Sequence, residues 1–142
     1  MSDRITKVLS ANDTGETGGH QAGLLIPREQ RILSFFPPLD ARRQNPRAHL
    51  LFEDQAGTFW EFAFIYYNNR FFGGTRNEYR LTRMTKYIRE ARLMAGDEVT
   101  IQINSSQGYS ISHRRRNEPV STRADAGRTM LKLGSGWKVI NI

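Results

Sequence analysis

The stretch "TFWEFAFIYY" (Thr58 to Tyr67) limits the possible folds of this chain more than any other segment. Trp60, Phe62, Phe64 and Tyr66 alternate on one face, while Phe59, Ala63 and Ile65 line the other. A strand that is apolar on both faces needs cover on both, which predicts a central strand of a sheet. His49 to Glu53 reads as its hairpin partner across the turn "DQAG". Further strands are expected at Ile5 to Leu9, from Leu24 to Ile26, and after the Gly96-Asp97 turn, where Val99, Ile101 and Ile103 alternate inward. Tyr109, Ile111 and His113 continue that pattern, and Thr129 to Leu133 with Trp137 to Ile142 form a closing hairpin across "GSG". Two short helices are predicted. One covers Arg28 to Phe35, entered through Pro27 and ended by "FFPPLD"; the other lies around Lys86 to Met94. Seven or eight short strands and two helices in 142 residues predict one mostly β domain, a closed or nearly closed barrel.

Composition removes several function classes. The chain has no cysteine, so it has no disulfide framework, no thiol chemistry and no cysteine-based zinc site. His20, His49 and His113 stand far apart and outside any paired-histidine motif, so no metal is expected. No apolar run approaches a membrane span and the first ten residues are no signal peptide, which predicts a cytoplasmic protein without membrane contact. The net charge is +7, and arginine outnumbers lysine 17 to 4. Arginine suits two-pronged contacts to phosphate or guanine. A GC-rich genome produces the same bias through codon usage.

Two loops carry the remaining signal. "SANDTGETGGHQAG" (residues 10 to 23) has four glycines, two acids and no lysine or arginine. It spends about thirteen residues where a turn between strands needs two to five. It lacks the lysine of a phosphate-cradling loop and the G-x-G of a dinucleotide site. It is either a solvated surface loop or an arm rich in hydrogen-bonding groups. In "NNRFFGGTRNEYRLTR", Arg76, Glu78 and Arg80 would share one face of an extended strand, with neighbours roughly 7 Å apart. Two base-pair steps of duplex DNA advance by roughly the same distance. Arginine grips guanine O6 and N7, and a carboxylate accepts from the cytosine amino group, so the row suits G·C pairs. The alternative is a solvent-side ladder of ion pairs, each worth under about 1 kcal/mol. Arg83, Lys86, Arg89 and Arg92 surround the second helix, and Arg114, Arg115 and Arg116 form a run. These suit phosphate contacts, although the run fits a solvated strand end equally well. Glu53 and Asp54 are not followed by the acid-x-lysine of a nuclease core, and no nucleophile elbow appears, so no catalytic residue is expected.

"LSANDTGETGGHQAGLLIP" (Leu9 to Pro27) and "IYYNNRFFGGTRNEYRLTR" (Ile65 to Arg83) resemble the amino-terminal effector-binding domain of EcoRII-like type II restriction endonucleases. "AGDEVTIQI" is similar to the wider family of DNA-binding pseudobarrels, which includes plant transcription-factor domains. The resemblance implies a seven-stranded open pseudobarrel with two short helices and two arms that clasp duplex DNA from the major groove. The arms would span about 10–23 and about 67–83. Matched residues would read bases through His20, Arg76, Glu78 and Arg80. The arms would also contact DNA through Asn12, Asp13, Thr14, Gly19, Gln21, Asn69, Arg70, Thr75, Asn77 and Tyr79, and phosphates would meet Arg83, Lys86, Arg114 and Arg115. In EcoRII this domain binds a second copy of 5'-CCWGG and governs a separate nuclease domain. By that likeness the chain is a monomeric, cofactor-free domain of a prokaryotic restriction enzyme, whose nuclease domain lies in the same or a partner chain. A stand-alone transcription regulator of the same fold is the alternative, and a nuclease with an unrecognised site is a third reading. The family pattern has basic residues at the positions of Gly74 and Tyr79 and an aromatic at Leu25, so weaker binding or altered flanking preference is expected.

Overall fold

The computed structural model describes residues 4–16, 22–104, 108–116, 129–132 and 136–141. Among them nine strands form one sheet: β1 (Arg4–Val8), β2 (Leu24–Ile26), β3 (Arg47–Glu53), β4 (Phe59–Tyr67), β5 (Glu78–Thr82), β6 (Glu98–Ile103), β7 (Tyr109–Arg114), β8 (Thr129–Lys132) and β9 (Trp137–Asn141). The expected architecture is present, a mostly β pseudobarrel that stays open, but with nine strands in place of seven. The spatial order is β2-β5-β4-β3-β7-β6-β1-β9-β8, so β2 and β8 end the sheet and do not pair with each other. β3 and β7 are parallel and share only two residue pairs, Phe52 with Tyr109 and Glu53 with Ser110. That short seam lets the two halves curl toward each other around the core.

β4 lies between β3 and β5, as its two apolar faces require. Its inner residues build an aromatic stack. Phe64 lies 4.6 Å from Phe36, Phe62 lies 5.0 Å from Phe52, and Phe52 lies 4.8 Å from Tyr109. Phe36 belongs to the segment after the helix α2 (Gln30–Leu33), which is shorter than the predicted 28–35 because its Glu29 N-cap makes no side-chain bond and the Pro37-Pro38 pair follows closely. The helix expected at 86–94 is α3 (Thr85–Glu90), whose Tyr87 and Ile88 are buried. Two helical turns arise where loops are predicted: α1 (Ala11–Thr14) and a 3-10 turn at Asn69–Phe72.

Gly23 passes so close to β5 that a Cβ there would lie 2.6 Å from the Leu81 carbonyl oxygen. Gly23→Ala is expected to cost about 1–3 kcal/mol, because backbone and not a flexible side chain must yield. Urea denaturation checks this; an unchanged midpoint would show that the arm and β5 separate freely.

Candidate nucleic-acid interface

The first arm has a built foot. Ser10 caps α1: its Oγ accepts from Asp13 N at 3.1 Å, and Asp13 Oδ2 accepts from Ser10 N at 2.9 Å. The two reciprocal bonds form a capping box, with aspartate in the place usually held by glutamate. Asp13 is 5% exposed, and the same oxygen meets Lys7 Nζ at 3.1 Å. Gly15 ends the turn in the left-handed region at φ 81°, and Gly23 N donates to Asp13 O at 3.0 Å, closing the neck of the arm. Glu16 Oε1 accepts from Ala95 N at 3.1 Å, tying the arm to the turn before β6. Asp13 therefore faces inward, and Thr14 Oγ1 donates to Ala11 O at 3.1 Å. Asn12 is exposed and lines the groove described next. Gly19, His20 and Gln21 lie outside the described residues.

The second arm begins at Asn68, which is fully buried. Its Oδ1 accepts from Asn45 N at 2.7 Å, and its Nδ2 donates to Ala41 O and Arg43 O at 3.2 and 2.7 Å. The 3-10 turn is locked by Gly74 N to Asn69 O at 2.8 Å and Arg70 N to Arg76 O at 2.9 Å, and Gly73 takes φ 91°. Asn69 accepts from Gln44, while Arg70 and Thr75 are exposed. Asn77 is held by neighbours: its Oδ1 accepts from Tyr66 Oη at 2.6 Å and from Arg28, which also donates to Asn77 O at 3.1 Å. Tyr79 points inward onto Tyr66, ring centroids 4.3 Å apart, with the Arg28 guanidinium 5.7 Å from each ring centroid.

Arg76 and the outward residues of β5 form the row that the sequence suggests. Glu78, Arg80 and Thr82 share one face, opposite Tyr67, Ile65 and Ala63 of β4. Arg76 Nη2 meets Glu78 Oε1 at 2.6 Å, and Arg80 Nη1 stands 3.8 Å from Glu78 Oε2. The ladder of ion pairs thus exists in the free protein, with the Arg76 side chain 47% exposed. An exposed pair of this kind adds little stability, so exchanging it for a ligand contact costs little. The Arg76 guanidinium also lies 3.9 Å from the Tyr67 ring centroid, which restricts its swing. The row faces a groove of about 730 Å³. Arg47, Arg76, Arg80 and Arg83 line it against a single carboxylate, Glu78. Arg47 of β3 stands opposite Ile65, which pairs with Arg80, so the two cations lie two strands apart, about 10 Å. Arg47, Tyr67 and Arg28 were not found by sequence reasoning; for Arg47 and Tyr67 the signal was the strand register, and Arg28, between β2 and α2, carried none.

The other predicted cations are placed differently. Arg83 borders the groove and Lys86 is exposed on α3. Arg114 donates to Glu98 at 3.1 Å, and Glu98 also meets Lys138 at 3.0 Å. Arg115 donates to Ala91 O and Arg92 O at 2.6 and 3.0 Å, satisfying carbonyls at the end of α3. Burial opposes ionisation of Asp97. Backbone N–H bonds from Arg116 and Met94, with the Arg115 and Arg116 cations, nonetheless hold its carboxyl below its usual range. Arg114 and Arg115 thus have protein partners, and neither lines the groove. Among the described residues no three His, Asp or Glu side chains group as metal ligands, and no helix is long and apolar enough to cross a membrane.

An open sheet of this order, with an arginine-lined groove beside the described parts of both arms, has the architecture of the DNA-binding pseudobarrels of the B3 type. The UbaLAI restriction endonuclease B3 domain, solved with cognate DNA, superposes with TM-score 0.63 at 22% identity, covering 99% of this chain and 86% of that one. The Arabidopsis FUS3–DNA complex gives 0.61 at 20% identity, covering 78% and 94%. The family model of the N-terminal domain of restriction endonuclease EcoRII matches residues 3–96, and the chain belongs to that family. The type II restriction enzyme EcoRII of Escherichia coli is 49% identical over 82 residues, which is 54% of this chain and 20% of that enzyme. Auxin response factor 6 of rice is 33% identical over 113 residues, 80% of this chain and 11% of that protein. The chain therefore spans a fifth or less of these two relatives. This chain is thus a DNA-binding domain of the EcoRII N-terminal and B3 kind.

Proposed function

We propose that this domain binds a specific duplex-DNA site of the CCWGG type through the major groove, as a monomer and without metal or cofactor. Its role is that of effector or targeting module of a type II restriction endonuclease in a prokaryotic cytoplasm, alongside a nuclease domain. The observation that carries this reading is the Arg76–Glu78–Arg80 row on the open face of the second arm. Arg76 and Arg80 read guanines, Glu78 accepts from a cytosine amino group, and His20 reads from the first arm. Arg47, Arg70, Arg83 and Lys86 hold the backbone. Gel shifts on CCWGG and each of its single-base variants test the reading, and equal binding to all of them removes it. Similarity to a plant factor over 80% of the chain favours a second reading, a transcription regulator of the same fold. A change in transcription in vitro from a promoter carrying the bound site, with no cleavage of that DNA in the presence of magnesium, supports that alternative.

Four backbone cations give a definite salt dependence. The logarithm of the association constant against that of salt concentration is expected to slope at about −3.6 for four phosphate contacts. Arg70→Ala should flatten the slope by about one unit while leaving the order of preferred sequences unchanged.

A further inference from the structure

We infer that Phe71 and Phe72, at the tip of the second arm, form an apolar reading surface for a thymine C5-methyl group beside the base pairs that Arg76 addresses. The inference rests on the DNA-binding reading above. The two rings are 65% and 44% exposed and adjacent in sequence. A solvated loop gains nothing from such a pair, and adjoining large apolar groups on a surface mark a contact. Their mount is stiff. The 3-10 turn that displays them is closed by Phe71 N to Asn68 O at 3.0 Å and Gly74 N to Asn69 O at 2.8 Å, on the buried Asn68.

Two observations favour DNA as the occupant. The Arg70 N to Arg76 O bond of 2.9 Å makes the turn and the Arg76–Glu78–Arg80 row one hydrogen-bonded piece, which mounts the rings on the same rigid unit as the proposed base contacts. Cations also flank the rings, with Arg70 exposed beside Phe71 and Arg76 beyond Gly73, which suits a polyanion carrying an apolar spot. On the major-groove edge of the four base pairs, the thymine methyl is that spot. A phenyl ring has no hydrogen bond to offer a base edge, so methyl contact is the readout left to it.

The test uses the whole chain and a fluorescently labelled CCAGG duplex. Deoxyuridine replaces thymidine at each thymine of the core and of two flanking pairs on either side, removing one methyl and no hydrogen bond. Wild-type protein should lose about 3- to 5-fold in affinity at one position, the effect of one buried methyl group. In F71S/F72S the unmodified duplex should be bound more weakly by at least that factor, the deoxyuridine effect should vanish, and the salt slope should stay unchanged. Its melting temperature should match the wild type, since both rings are exposed. Indifference of the wild type to every deoxyuridine overturns the inference, as does a deoxyuridine effect that survives in the variant. A wild-type dimer in sedimentation that F71S/F72S abolishes overturns it too, assigning the rings to a contact between copies. If the wild type binds CCAGG no better than scrambled DNA, the parent reading fails instead.

Discussion

A variant carrying both Arg76→Ala and Arg80→Ala is expected to bind a CCWGG duplex no better than unrelated DNA. Each bidentate arginine–guanine pair is worth about 1–3 kcal/mol of discrimination, so the pair together accounts for about 2–6 kcal/mol. The two losses will not simply add, because both guanidinium groups share Glu78, at 2.6 and 3.8 Å. Arg76→Ala alone takes away the closest partner of that carboxylate. The freed charge then faces the phosphates in a groove whose cations no longer balance it, so this single variant should lose more than its own contact. Removing Glu78 as well relieves that repulsion, and R76A/E78A should recover part of the loss on random DNA but none of the choice of base. Fluorescence anisotropy on the cognate duplex, each single-base variant and a scrambled duplex measures all of these terms. Equal weakening of R76A/R80A on cognate and scrambled DNA would mean that the row holds phosphate and reads nothing.

The strands were legible because each carries its own alternation, and β4 could be placed inside the sheet because apolar residues stand on both its faces. The row of Glu78 and Arg80, with Arg76 just before β5, was legible for the same reason: residues two apart share a face wherever the chain is extended. What the sequence hides depends on register or on capping chemistry. Arg47 enters the groove only because β3 pairs with β4 so that it falls opposite Ile65, a fact absent from its neighbours in the chain. The foot of the first arm escaped notice because Ser10 and Asp13 make a capping box with a shorter acid than the usual pattern. Asn68 reads as one more polar loop residue. Its burial follows from three backbone groups of the 41–45 segment that it alone satisfies. Arg114 and Arg115 show the converse: the charge run is plain in the sequence, but that the end of β7 lies beside Glu98 and the end of α3, giving both arginines protein partners, is not.

Asp13→Ala is expected to be the most destabilising single change at this interface, at about 3–5 kcal/mol. The substitution leaves Lys7, a residue 7% exposed, with the Val8 carbonyl at 3.1 Å from its ammonium and, among the described residues, no other ion-pair partner. Breaking a buried pair on one side costs that much because the remaining ion cannot recover its hydration. The same substitution deletes the acceptor for Ser10 N and half of the capping box. For a domain of this size the melting temperature should fall by on the order of 10 °C. Lys7→Met combined with Asp13→Asn separates the two causes. Asparagine still accepts from Ser10 N while neither charge remains, so this double variant should regain most of the loss. The damage should also reach DNA binding, because the capped turn that loses its side-chain bonds holds the Asp13 carbonyl on which Gly23 N closes the neck of the first arm. An arm released from that foot must be ordered again on binding, so affinity should fall with Asp13→Ala even below its melting transition. A loss below about 1 kcal/mol would instead show that water reaches the Lys7–Asp13 pair and that the arm is anchored elsewhere, through Glu16 and Ala95.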